Sequence, residues 1–214
     1  MTKNFDMEKN QKKTRILAVG DIHGDSRLVK KLAEKAEREN IDLVILAGDI
    51  TFLDNEVKNI ISPFMKINKK VLLLHGNHEG VATIDSFTEI YPNTKNIHGY
   101  SVRHNNIGIF GVGGADGPGP GGTVIESELF SALKQSHEYI KDASKKIMVT
   151  HMHPAGTKSE FSGIEGSKSI RKAIEKFQPN IAIFGHIHEA GGIEEKIGNT
   201  TIINVSRKET IFEL

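Results

Sequence analysis

Residues able to bind a metal or move a proton recur in five short clusters: Gly20-Asp21-Ile22-His23-Gly24, Gly48-Asp49, Gly76-Asn77-His78-Glu79, His151-Met152-His153 and Gly185-His186-Ile187-His188. Each comes at the end of a short apolar run. Two aspartates, an asparagine and several histidines make an oxygen and imidazole donor set that suits Mn, Fe, Zn or Ni, and the lack of thiolate suits hydrolysis without redox change. The chain has no cysteine, so disulfides, zinc-thiolate sites and thiol nucleophiles are excluded. On extended backbone, residues two apart point the same way. Asp21-x-His23 and His186-x-His188 are therefore expected to offer two donors each to one cluster. Glycines beside them let the backbone turn sharply. Taken singly, each cluster has an ordinary reading, since Gly-Asp is a common turn and Asn at a strand end makes an Asx turn. Their joint occurrence at successive strand ends is what points to chemistry.

The apolar runs define the elements that must bring these clusters together. Arg15 to Val19, Asp42 to Ala47 and Lys70 to His75 read as buried strands. Ser26 to Asn40 reads as an amphipathic helix with Ser26 as one candidate N-cap and Asp25 as another, and Asn55 to Met65 as a helix disturbed at its end by Pro63. In the second half, Ser101 to Arg103 and Ile107 to Val112 read as strands joined at Asn105-Asn106. Glu126 to Ile140 and Gly166 to Phe177 read as helices, and Lys146 to Thr150 and Asn180 to Phe184 as strands. Gly192 to Lys196, Thr200 to Val205 and Glu209 to Glu213 suggest an antiparallel meander. Alternating strands and helices imply a largely parallel sheet covered on both faces. In such a sheet the loops beyond the carboxyl ends of the strands converge on one crevice.

The series Asp21-x-His23, Gly48-Asp49, Gly76-Asn77-His78-Glu79, His151 and Gly185-His186-x-His188 resembles the calcineurin-like metallophosphoesterase superfamily, over residues 15 to 190. The resemblance implies an α/β fold of four layers, an α/β/β/α sandwich of two mixed sheets flanked by helices. It implies two divalent metal ions, with Asp21, His23 and His188 on the first, Asn77, His151 and His186 on the second, and Asp49 bridging them. His78 would sit beside the metals as the catalytic acid. The protein phosphatase branch continues Gly-Asp with Asp-Arg-Gly, whereas here the run is Gly48-Asp49-Ile50-Thr51-Phe52-Leu53-Asp54-Asn55, which speaks against phosphoprotein hydrolysis.

The chemistry of the residues supports the same roles. Anionic phosphate esters repel hydroxide. Two cations about 3.5–4 Å apart neutralise that charge and yield a bridging hydroxide that attacks in line. A carboxylate with two oxygens, such as Asp49, is the natural bridge. The expected activity is hydrolysis of a phosphomonoester or phosphodiester, the substrate being a small molecule or nucleotide. A fold that keeps the ligands but serves as a scaffold or binding protein is the alternative. Glu79 is expected to cap the helix starting near Gly80. His153 is expected either to contact substrate or to hydrogen-bond near Pro154. His75 is expected to lie behind the ligands, and His98, His104 and His137 on the surface. The run Gly111 to Gly122 lacks the Gly-Lys-Ser/Thr ending of a phosphate-binding loop. It reads as a flexible loop after a strand, or as a rim of the pocket that helps choose the substrate.

With 28 Lys and Arg against 27 Asp and Glu among 214 residues, bulk charge does not favour nucleic-acid binding. The length suits one domain, expected at 14–214, after a polar tail at 1–13. No apolar stretch is long enough to span a membrane. A cytoplasmic location and no obligate protein partner are expected.

Overall fold

The computed structural model describes residues 13–214. Apart from Lys13, the expected tail lies outside the described residues. Strands β1 (Arg15–Val19), β2 (Leu43–Ala47), β3 (Lys70–Leu74) and β4 (Thr94–Asn96) run parallel in one sheet. Strands β5 (Ser101–His104), β6 (Ile107–Val112), β7 (Lys145–Thr150), β8 (Ile181–Phe184), β9 (Glu194–Ile197) and β10 (Thr200–Asn204) form a second sheet in the order β5-β6-β7-β8-β10-β9. Its inner strands are parallel and its edges antiparallel. Strand β11 (Thr210–Glu213) returns to the first sheet, antiparallel to β1.

Alternation along each strand builds the layers. Ile16, Leu43, Ile45, Leu72 and Leu74 of the first sheet meet Ile109, Ile147, Val149 and Ile183 of the second in one buried core. Their neighbours Leu17, Val19, Val44 and Leu46 face the other way. They pack with Val29, Leu32, Phe64 and Ile84, contributed by α1 (Ser26–Arg38), α2 (Ser62–Lys66) and α3 (Val81–Ile90). Phe110, Met148, Phe184 and Ile202 pack in the same manner with α4 (Glu126–Glu138) and α5 (Lys168–Phe177). The result is helices, sheet, sheet, helices, as expected. Strands apolar on both faces need cover on both faces. Among the described residues, no helix is long and apolar enough to cross a membrane.

Several boundaries differ from expectation, each for a local reason. Of the two cap candidates for α1, Asp25 is the one used, its carboxylate accepting from the N–H groups of Arg27 and Leu28. Ser26 is the first residue inside the helix. Pro63 begins α2 instead of ending a longer helix, because a missing N–H costs nothing in a first turn. The preceding segment cannot be helical, since Leu53, Asp54, Glu56 and Asn59 all have positive φ. The C-terminal strands are not a meander. Strands β9 and β10 pair, but β11 crosses to the other sheet, where Ile211 and Phe212 face different cores.

The cap assignment gives a direct test. Asp25→Ala should lower the stability by about 1 kcal/mol in urea denaturation. Ser26→Ala should change it by less than about 0.5 kcal/mol. The reverse order would restore Ser26 as the cap.

Candidate metal centre

The five clusters meet at one end of the two sheets. Backbone hydrogen bonds zip the loop after β1 to the loop after β2, Asp21 N to Gly48 O and His23 N to Asp49 O, both 2.9 Å. The loop after β8 is tied across the sandwich by His186 N, which donates to the Asp21 carboxylate at 3.1 Å. Convergence occurs as expected, but not on extended backbone. Asp21, His23, Asp49 and His186 have φ of 57°, 47°, 49° and 74°. Such left-handed residues are uncommon outside glycine, and Asp and His are among those that tolerate it. Tight turns, not strand periodicity, aim these donors. Close approach also requires glycine at Gly76, where a methyl group would fall on the Asp49 carboxylate.

The donors form two groups with Asp49 between them. In the first, one ligand atom each from Asp21, His23, Asp49 and His188 lie within 4.8 Å of one another, an arrangement that can hold a metal ion. His23 Nε2 and His188 Nε2 stand 3.0 Å apart. Two nitrogens each about 2.0–2.1 Å from one cation, at a right angle, would be spaced about 3 Å apart. In the second group, Asn77 Oδ1 lies 3.1 Å from His186 Nδ1 and 3.3 Å from His151 Nε2. Asp49 Oδ1 lies 3.4 Å from His151 Nε2, and Asp49 Oδ2 lies 3.7 Å from His23 Nε2. Asp49, Asn77 and His151 are buried, whereas His188 is exposed, so the first group faces solvent and the second lies behind it.

Electrostatics favours a cation here. His151 Nδ1 lies 2.8 Å from the Ala47 carbonyl. Donation there leaves the Nε2 lone pair aimed at two oxygens. Burial opposes a charge on this ring, but Asp49, Asp21 and the Ala47 carbonyl together outweigh burial and raise its pKa to about 10. Burial also works against the Asp49 anion, yet His151 and the His78 backbone N–H hold its pKa well below the usual carboxylate range. Burial lowers His186 to about 4, which keeps the ring neutral with one nitrogen lone pair available. The cluster therefore draws positive charge to its middle, the property a metal site needs.

The other expected residues separate clearly. His78 Nε2 is 3.9 Å from Asp49 Oδ2, and its ring stacks on Phe52. His153 is fully buried, with Nε2 3.2 Å from the Ile164 carbonyl and its ring parallel to His186. Its hydrogen bond goes to Ile164 and not to the backbone near Pro154. Glu79 does not cap α3. Fully buried, it accepts from the N–H groups of Ile50, Thr51 and Gly76, bracing two ligand loops. Burial, with the Asp49 charge next, raises its pKa to about 7. Asp54 serves the start of α3 instead, accepting from Gly80 N and the Thr83 hydroxyl. His75 is buried, packs on His98 and is lowered to about 3 by burial and then by His98. His98 is not a simple surface residue, because its Nδ1 accepts from Gly113 N.

The glycine-rich run, expected on the rim of the pocket, lies against Asn77. Pro118 O accepts from Asn77 Nδ2 at 3.0 Å, and Gly121 N donates to Asn77 O at 3.0 Å. With the amide nitrogen so held, Oδ1 faces His151 and His186. Gly119 has φ 123°, and a methyl group there would collide with the Asn77 carbonyl. Gly119→Ala should therefore lower the metal content of dialysed protein below that of wild type, measured by elemental analysis. Gly99→Ala is the control, with φ 71° but nothing within 4 Å of the added carbon, and should leave the metal content unchanged.

The sequence profile of the calcineurin-like phosphoesterase family matches residues 14–190. The uncharacterized protein MJ1162 of Methanocaldococcus jannaschii is 31% identical, over 91% of this chain and 88% of its own. Among solved structures, TT1561 of Thermus thermophilus superposes with a TM-score of 0.72 at 18% identity, over 90% of this chain and 88% of that one. An archaeal phosphodiesterase superposes with a TM-score of 0.54 at 17% identity, over 94% and 99%. At such identities the two structures show a shared fold, while the profile and MJ1162 go further and show that the chain belongs to the calcineurin-like phosphoesterase family.

Proposed function

We propose that this chain hydrolyses a phosphomonoester or phosphodiester at a centre for two divalent metal ions. In this reading Asp21, His23 and His188 hold one ion, Asn77, His151 and His186 hold the other, and Asp49 lies between. Once bound, two such ions neutralise the phosphoryl oxygens and lower the pKa of a water. The observation that carries the proposal is the divergence of the Asp49 oxygens, Oδ1 toward His151 and Oδ2 toward His23.

The chain's own groups supply the rest. His151, oriented by the Ala47 carbonyl, presents Nε2 to the centre. Asn77, oriented by Pro118, presents Oδ1. His78 lies at the open side, with its ring stacked on Phe52 at 5.1 Å and its Nε2 near Asp49 Oδ2. From there it can give a proton to the departing oxygen. The buried braces at Glu79 and Asp21 keep the loops from adjusting during the reaction, as preorganised electrostatic stabilisation requires. A phosphate-ester substrate fits the family, and the archaeal structural neighbour described as a phosphodiesterase supports including diesters.

The test is hydrolysis of p-nitrophenyl phosphate and bis-p-nitrophenyl phosphate by chelator-treated protein, with Mn, Fe, Zn or Ni added back. Added metal should restore turnover and raise Tm, since a ligand that binds only the folded state stabilises it. His78→Gln should lower kcat by about 10²–10⁴-fold with metal content kept. Asp49→Asn should lose both turnover and metal. Failure of every ester with every metal would sink the proposal and favour a binding scaffold.

A further inference from the structure

A cleft of about 370 Å³ opens beside the first donor group, lined by His23, Asp25, Arg27, Phe52 and Glu56 among others. Phe52 is the unusual member. It is 48% exposed, although it lies directly beside the centre. One face stacks on His78, with rings 5.1 Å apart and 28° from parallel, and the ring meets His23 edge-on at 5.9 Å. The rest of the ring is left on the cleft wall.

The backbone behind Phe52 is built to hold it there. Phe52 and Asn55 exchange backbone hydrogen bonds of 3.4 and 3.0 Å around Leu53 and Asp54. Both central residues are left-handed, with φ of 52° and 58°, the geometry of a tight hairpin turn that usually takes Asn and Gly. Leu53 has no side chain suited to this conformation, so the turn stores backbone strain, and such strain collects at functional sites. Further hydrogen bonds fix the turn. Asn55 Nδ2 donates to Leu53 O at 2.8 Å, Asp54 N donates to His78 O at 3.1 Å, and the Asp54 carboxylate is anchored at Gly80 and Thr83. The turn thus holds the Phe52 ring against His78 and His23 while leaving nearly half of it open to the cleft.

We propose that this cleft receives a planar heteroaromatic ring carried by the substrate, stacked on Phe52, so that the preferred esters are those of nucleosides. This rests on the hydrolase reading above and narrows its substrate class. Stacking of a base on an aromatic side chain is tolerant of base identity. Arg27 on the cleft wall offers donors and Glu56 offers acceptors to ring heteroatoms and amino groups. An aliphatic alcohol would gain little from such a wall.

The experiment compares adenosine 5′-phosphate with ribose 5-phosphate, which share the same ester and differ only in the base. Methyl diesters of both extend it to diester hydrolysis. Two readouts are taken on the metal-supplemented chain: calorimetric Kd for the non-hydrolysable phosphonate analogues of both compounds, and kcat/KM for the esters. Wild type should favour the base-bearing compound by at least about tenfold in both. Phe52→Leu should bring that ratio to within about twofold, and Phe52→Tyr should keep it. Equal Kd values for the two compounds in wild type, or a ratio that survives Phe52→Leu, would overturn the inference. The binding readout needs no turnover, so absence of hydrolysis on every ester sinks the hydrolase reading alone and leaves the cleft decided by Kd.

Discussion

Oxygens and imidazole nitrogens crowd around Asp49, and their mutual repulsion is the constraint that the rest of the structure answers. Asp49 is almost wholly buried, as are Asp21, Asn77 and His151. Grouped polar atoms in a low-dielectric interior are costly unless positive charge joins them. The raised pKa of His151 and the depressed pKa of Asp49 express that demand in the protein alone. Holding the atoms so close takes left-handed turns at four of the donors, a glycine at position 76, and bonds from one sheet's loops to the other's. The apolar core between the sheets gives those loops a rigid base from which to press together.

Much of this was legible in the sequence because its signals are local. Apolar runs of five or six residues followed by Gly-Asp, Gly-Asn-His or Gly-His-x-His mark both the strands and the donors. Together with the family resemblance, that pattern implied the layers and brought the clusters to one end of them. It misjudged how the donors converge, since extended and left-handed backbone leave the same trace in Asp-x-His. The segment from Asn55 to Ile61 looked helical by composition, but the fold needs it as a strained loop beside the pocket. Polarity and brevity hid β4, whose sequence is Thr-Lys-Asn.

Long-range partners were not legible. Nothing adjacent to Glu79 announces that it accepts from Ile50 and Thr51, so a helix cap was the natural reading. Pro118 lies 41 residues from the amide it orients, and glycine richness alone could not separate a loose rim from a close-packed support. The destination of β11 was hidden for the same reason. Its adjacent apolar pair, Ile211 and Phe212, suits any open edge covered on both faces, and the edge beside β1 lies far back in the chain.

That last strand has a consequence for how the centre comes into being. Gly20, just before Asp21, is held from both sides by the segment leading into β11: its N–H reaches the Val205 carbonyl, and its own carbonyl receives the Arg207 N–H. During synthesis from the N-terminus, the first donors leave the ribosome long before these partners exist. The turn that carries Asp21 and His23 therefore reaches its final shape only once residues from the far end of the chain have folded against it.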